Sequence, residues 1–339
     1  MNTSLTLSPI PRWRATAQAL RRYALFFLLA LMLMVFGVAE PAFLRLNNLL
    51  SILQSTAVDA LLGLAVTIAL IGGGFDLSIG AVAALSLMIS SYAMVVLGLG
   101  AAASVALALL AGALVGAFNG LLVFRLRIPD MLATLGTLFL LGGLQLLPSA
   151  GRSITPGLIL PDGSSANGSF APAFLAIGRS EWQGVPLPVL IVGLLAWLAW
   201  FVTERTRWGR VLCATGGNEA AARLAGAPTV RYRLIAYIAS GLLAALGGVI
   251  IAARVGRGDV SGGNGLLLDS VAAALIGFAV LEARRPNVVG TVVGAVFVGV
   301  LLNGLTMLNV SFYSQDLIKG LVLVVALGLT FGPGRAHRL

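Results

Sequence analysis

The sequence predicts an all-α membrane protein, a polytopic bundle of about ten transmembrane helices. Three observations carry this. Hydrophobic residues fill 59% of 339 positions and charged residues only 10%, whereas a soluble domain carries roughly 25% charged residues. The apolar positions fall in long runs separated by short polar links, the pattern of membrane spans. The basic residues gather in alternate links, as the positive-inside rule requires.

Residues 1–22 hold Arg12, Arg14, Arg21 and Arg22 and predict a cytoplasmic N-terminal segment. The apolar run 23–39 is long for a signal-peptide core, and no clean small-residue cleavage site follows it, so it reads as an uncleaved first span. Nine more runs fall at 50–71, 78–97, 101–123, 130–148, 187–203, 232–252, 268–281, 288–308 and 315–331. Residues 23–331 thus form a single transmembrane domain, and 332–339 a tail.

Alternating from a cytoplasmic N-terminus puts Arg12, Arg14, Arg21, Arg22, Arg125, Arg127, Arg205, Arg207, Arg210, Arg223, Arg231, Arg233, Arg284, Arg285, Arg335 and Arg338 inside. Arg45, Arg152, Arg179, Arg254, Arg257 and Lys319 fall outside. The split of 16 against 6 among 22 basic residues selects ten spans with both termini in the cytoplasm. Two longer links stand out: 149–186, rich in Gly, Ser and Pro, on the outside, and the charged segment 204–231 on the inside.

Several chemistries find no support. The net charge of +10 comes from small Arg groups, with no continuous basic stripe for nucleic acid. One cysteine, Cys213, cannot form an internal disulfide, and with one histidine, His337, it cannot build a Cys/His zinc site. A lone tail histidine serves no Ser/His/Asp arrangement among the spans. The only lysine, Lys319, stands in no phosphate-binding Gly-rich loop. The chain is therefore expected to bind no cofactor, and any ATP used must be hydrolysed by another subunit.

An internal repeat is visible. Asn119-Gly120-Leu121 closes one span before Asp130 opens the next, and Asn303-Gly304-Leu305 does so before Asp316. Gly-rich segments at 72–74 and 262–265 precede similar apolar runs. Spans two to five and seven to ten would then be copies of opposite orientation, the plan of an inverted-repeat transporter.

Four places are candidate functional sites. In 72–80 three glycines loosen the end of span two, and Asp76 is placed to cap span three. Two readings stand: a broken helix beside a translocation path, involving Gly73, Gly74, Phe75, Asp76 and Ser78 with Asn119 and Asn303, or an ordinary tight link. In 204–231, Asn218 is predicted to cap a two-turn helix, with Glu219 and Arg223 paired i,i+4 and Gly226 as its stop. That helix docks a cytoplasmic partner, is solvated, or binds lipid headgroups. Asp59, inside span two, joins the path candidates: a carboxylate there is functional unless it is neutral or hydrogen-bonded to a neighbouring helix. The outer loop 254–270, with Arg254, Arg257, Asp259, Asn264 and Asp269, either meets an extracytoplasmic partner or is solvated.

With these residues in hand, the chain resembles the permease subunits of bacterial ABC importers for sugars of the ribose/xylose/arabinose type. Segment 72–80 is similar to that family's Gly-Gly-Ile-Asp-Leu-Ser-Val-Gly signature, with Phe75 for Ile. Segment 209–226 resembles its cytoplasmic coupling region, and 265–277 its Leu-Asp-x-Ile-Ala-Ala pattern. After Gly277 the family's Gly-rich run is replaced by 278–287, FAVLEARRPN, which marks a divergent branch.

The resemblance implies a cell inner membrane permease lining the path for a sugar or related small polar solute. It implies an extracytoplasmic binding protein, a second permease subunit, and a cytoplasmic ATPase. Gly217, Asn218, Glu219, Ala221, Ala222, Arg223, Leu224 and Gly226 would take part in docking that ATPase. Related permeases carry branched-chain amino acids or nucleosides. An ion-coupled secondary transporter is the rival class, compatible with Asp59 and the repeat.

Overall fold

The computed structural model describes residues 12–279 and 285–331. Each of the ten apolar runs lies on its own helix: α1 (Arg12–Ala39), α2 (Leu46–Ile71), α3 (Ile79–Val95), α4 (Ala101–Phe124), α5 (Asp130–Leu144), α7 (Leu187–Arg205), α10 (Thr229–Val255), α11 (Leu266–Ala279), α12 (Val288–Met307) and α13 (Phe312–Phe331). Between α5 and α7 stands the short α6 (Pro172–Arg179). Between α7 and α10 stand α8 (Arg207–Gly217) and α9 (Glu219–Leu224). Among the described residues, six helices are long and apolar enough to cross a membrane: α2, α4, α5 with its 3-10 extension to Ser149, α7, α10 and α12. The protein is an all-α polytopic membrane bundle.

The structure adjusts several boundaries. The basic N-terminal segment is helical from Arg12, because 12–22 consists largely of Ala, Arg, Leu and Gln with no Gly or Pro. The last residues of the eighth predicted span (280–281), Arg284 and the tail 332–339 lie outside the described residues. The link 149–186 is more ordered than its composition suggests. Beyond α6 it holds a two-stranded hairpin, β1 (Glu181–Trp182) and β2 (Val185–Pro186). It also packs on the 254–270 loop. Ile154 and Gly258 exchange backbone hydrogen bonds of 2.8 Å, and the Arg179 guanidinium donates to the carbonyls of Arg254 and Val255 at 2.9 Å.

Packing follows the repeat. Exchanging α2–α5 with α10–α13 turns most of the helix contacts among them into other observed ones. α2 meets α12 as α10 meets α4, and α2 meets α11 as α10 meets α3. Likewise α3 meets α4 and α5 as α11 meets α12 and α13, while α2 packs on α10. Lipid offers helices no hydrophobic reason to associate, so close backbone approach must hold them. At the α4–α10 crossing a side chain at Gly112 would strike the carbonyl of Gly241. At the α11–α12 crossing one at Gly277 would meet the Gly290 backbone. The outward faces of α4, α5 and α7 instead show large apolar side chains such as Leu114, Phe139 and Trp197.

Candidate functional site

The chain leaves helical geometry between Ile71 and Ile79. Gly73 adopts a left-handed conformation, φ +75°, that closes α2. It lies against the backbone of α8, where an added Cβ would stand 2.9 Å from the Gly216 Cα. Gly74 faces α10, and a Cβ there would be 2.6 Å from the Tyr237 hydroxyl. Both neighbours demand glycine.

Backbone without helical partners is tolerated at membrane depth only where other groups satisfy it. Here α5 does so. The Phe75 N–H donates to Asp130 Oδ2 at 2.6 Å, and Thr134 Oγ1 donates to the Phe75 carbonyl at 3.3 Å. Asp76 Oδ1 accepts from the Ser78 N–H at 2.9 Å and from the Ser78 hydroxyl at 2.7 Å. Asp76 Oδ2 accepts from Ser240 Oγ of α10 at 2.9 Å. Asn119 of α4 donates from Nδ2 to Ser78 Oγ at 2.8 Å and accepts from Thr137 of α5 at 2.6 Å. Asp76, Ser78, Asn119, Thr137 and Ser240 are all buried.

Phe75, Asp76, Ser78 and Asn119 therefore converge on one hydrogen-bonded network, with Gly73 and Gly74 packed beside it. Asp76 does not cap α3 as predicted. Ser78 is the N-cap residue, and the Asp76 carboxylate turns back onto Ser78 and across to α10. The other two path candidates lie elsewhere. Asn303 accepts from Asn48 Nδ2 at 3.0 Å. Asp59, half-buried in the middle of α2, makes no hydrogen bond among the described residues. The charges acting on it are Asp269, Arg254 and Lys319. Lys319 Nζ in turn holds Asp269 at 2.6 Å and Asp316 at 3.1 Å. Sequence reasoning missed Thr134, Thr137, Tyr237 and Ser240. Their signal was faint: isolated hydroxyls in apolar spans.

Segment 204–231 holds two helices, α8 and α9, where one was expected. Thr206 caps α8 by accepting the Gly209 N–H at 3.3 Å. Leu212 packs that helix under Ile68, Ile71 and Ala236. Asn218 caps α9 as expected, accepting the Ala221 N–H at 2.9 Å. Glu219 Oε1 accepts from Arg223 at 2.7 Å, as the i,i+4 spacing predicts. Its carboxylate also takes Arg233 of α10 at 2.8 Å and the Thr229 hydroxyl at 3.2 Å.

Partial burial pushes the Glu219 carboxyl up in pKa. The Arg223 hydrogen bond, the Arg233 charge and the Thr229 hydroxyl outweigh it and hold the group below the ordinary glutamate value. Gly226, at φ +84°, ends the helix. The Ala222 side chain is buried, while Leu224 is 91% exposed. Helix α9 is thus pinned to α10 and presents an apolar side chain outward.

Comparison with known proteins accounts for this architecture. The family described as "Branched-chain amino acid transport system / permease component" matches residues 48–327. The chain is 36% identical to the ribose import permease protein RbsC of Escherichia coli (strain K12) over 315 residues, 93% of this chain and 95% of that one. It is 31% identical to the D-allose transport system permease protein AlsC of the same organism, with 91% of each chain covered. It is 29% identical to the xylose transport system permease protein XylH, with 88% of each covered. No solved structure matches. A match over most of the chain, on a bundle whose packing partners repeat, places this protein in the family of branched-chain amino acid transport system permease components.

Proposed function

We propose that this chain is the membrane subunit of an ATP-binding-cassette importer and forms the path for a sugar or related small polar solute. An extracytoplasmic binding protein delivers the solute, and a second permease subunit completes the path. A separate cytoplasmic ATPase supplies the energy, and this chain binds no nucleotide or other cofactor. Both termini lie in the cytoplasm, in keeping with the 16 basic residues that alternation places on that side. The sugar side of the family is favoured because the relatives above import ribose, allose and xylose. Scarcity of charge in the spans suits a neutral solute, which needs no buried counter-ion.

One observation carries the reading. Helix α9, fixed by Asn218 and Glu219 and presenting Leu224, belongs to the same cytoplasmic segment whose Gly216 lies against Gly73 of the helix break. A partner seated on α9 thus meets a unit already in contact with the break. The test is uptake of labelled ribose and xylose by vesicles holding this chain with its ATPase and binding protein. Uptake should require ATP, stop when the ATPase is inactivated, and survive collapse of ion gradients. Uptake that follows the gradient and ignores ATP establishes the secondary-transporter reading instead. Preferential uptake of leucine would move the substrate to the amino-acid side.

A further inference from the structure

We propose that Arg233, Phe124 and Tyr237 are positioning residues that carry movement of the cytoplasmic helix α9 to the helix break at 72–78. The proposal rests on the importer reading above and names the route by which the ATPase side reaches the path. Four contacts form the route. Glu219 of α9 binds Arg233 of α10 at 2.8 Å. The Arg233 guanidinium lies 4.9 Å from the ring centre of Phe124 on α4, within cation–π range. The Phe124 ring meets the Tyr237 ring edge-on, with centroids 5.9 Å apart and planes at 70°. Tyr237 is 1% exposed, and its hydroxyl lies where a side chain on Gly74 would be.

The spacing on α10 gives this route leverage. Arg233 and Tyr237 stand i,i+4, and Ser240 follows one turn on, so the three lie along one face. One end of that face is held by Glu219. The other end holds the break twice, through Tyr237 at Gly74 and Ser240 at Asp76. The ring stack cannot absorb a shift by compression, because packed interiors are nearly incompressible. The break is the element able to respond. It has no internal helix ladder and is positioned by a few separate hydrogen bonds from α4, α5 and α10. Among the described residues, the cytoplasmic segment also meets the break directly, through Gly216 against Gly73 and Leu212 against Gly72.

The test measures ATP hydrolysis and solute uptake together in the reconstituted complex. Phe124→Leu and Tyr237→Leu remove a ring and should reduce solute moved per ATP hydrolysed by about 5- to 10-fold, with ATPase activity within about twofold of wild type, the scale of a modest coupling energy. Tyr237→Phe keeps the ring and should restore the wild-type ratio. Should Tyr237→Leu fail to assemble, Arg233→Met at the more exposed end of the stack tests the same route and should lower the ratio. Uptake and hydrolysis falling in proportion, or a wild-type ratio in the Phe124 and Arg233 variants, overturns the route. Absence of ATP-driven uptake by the wild-type complex overturns the importer reading itself.

Discussion

Ser240 on α10 donates a 2.9 Å hydrogen bond to Oδ2 of Asp76 across 164 positions of sequence, and both residues are buried. The bond ties the helix break of one repeat to the first helix of the other. Removing the hydroxyl leaves a buried carboxylate oxygen without that donor, a loss of about 1–3 kcal/mol. Ser240→Ala is therefore expected to lower the unfolding temperature of the purified protein clearly, and Asp76→Ala more so, since that carboxylate also serves Ser78. Asp76→Asn should be milder, because its amide still offers an acceptor toward Ser78 and a donor toward the Ser240 oxygen. Thermal unfolding in lipid nanodiscs orders the three, and equal midpoints for Ser240→Ala and wild type would refute the role given to this bond.

The Gly74 contact yields a sharper experiment. Gly74→Ala puts a methyl group 2.6 Å from the Tyr237 hydroxyl oxygen, inside any tolerated contact. Tyr237→Phe removes that oxygen and keeps the ring. Gly74→Ala alone should destabilise by about 1–3 kcal/mol, as overpacking does. The double variant should recover much of that loss, a coupling between neighbours that independent sites do not show. Gly73→Ala has no such rescue, since its obstacles are a left-handed φ of +75° and the Gly216 backbone. Additive effects of Gly74→Ala and Tyr237→Phe would contradict the geometry.

The ten apolar helices were legible because hydropathy is a local property, and so was α9, because its cap, ion pair and glycine stop lie within nine residues. The partners of the break were not. Ser240 and Thr137 are single hydroxyls in apolar runs, and nothing nearby in sequence points to Asp76 or Asn119. Asp130 was visible as the acid opening span five, but its use as an acceptor for the Phe75 N–H depends on the fold. The repeat also promised too much symmetry. Asn303 matches Asn119 in sequence, yet it bonds Asn48 in a region where Gly304 packs on Phe36 of α1. Helix α1 stands outside the repeat, so the two asparagines face different neighbours.

Glu219 gives a pH test with a definite sign. Its folded pKa lies below the ordinary value, so the stability it supplies is present above the unfolded glutamate pKa of about 4.3 and lost as pH falls through the lower folded value. Its pairs are partly exposed and partly screened, which limits the contribution to about 1–2 kcal/mol. The gap in unfolding temperature between wild type and Glu219→Gln should hold steady from pH 6 to 8. It should close as pH falls below about 4. A gap that grows on acidification would reverse the assigned sign.

The charges around Asp59 set the last expectation. Lys319 holds Asp269 at 2.6 Å, both side chains only 19% exposed, while Asp59 feels Asp269, Arg254 and Lys319. Removing one partner of such a pair strands the other charge, and the cost is far larger than the net worth of the intact pair. Lys319→Met takes away the ammonium and leaves the Asp269 carboxylate without its ion-pair partner. A loss of about 1–3 kcal/mol is expected, since the pair is largely but not fully shielded from solvent. Asp269→Asn in the Lys319→Met background removes the stranded charge and should return most of it. Denaturation of wild type and the two variants in nanodiscs measures each step. If Asp269→Asn does not offset Lys319→Met, the loss comes from packing of the lysine stem and the electrostatic account fails.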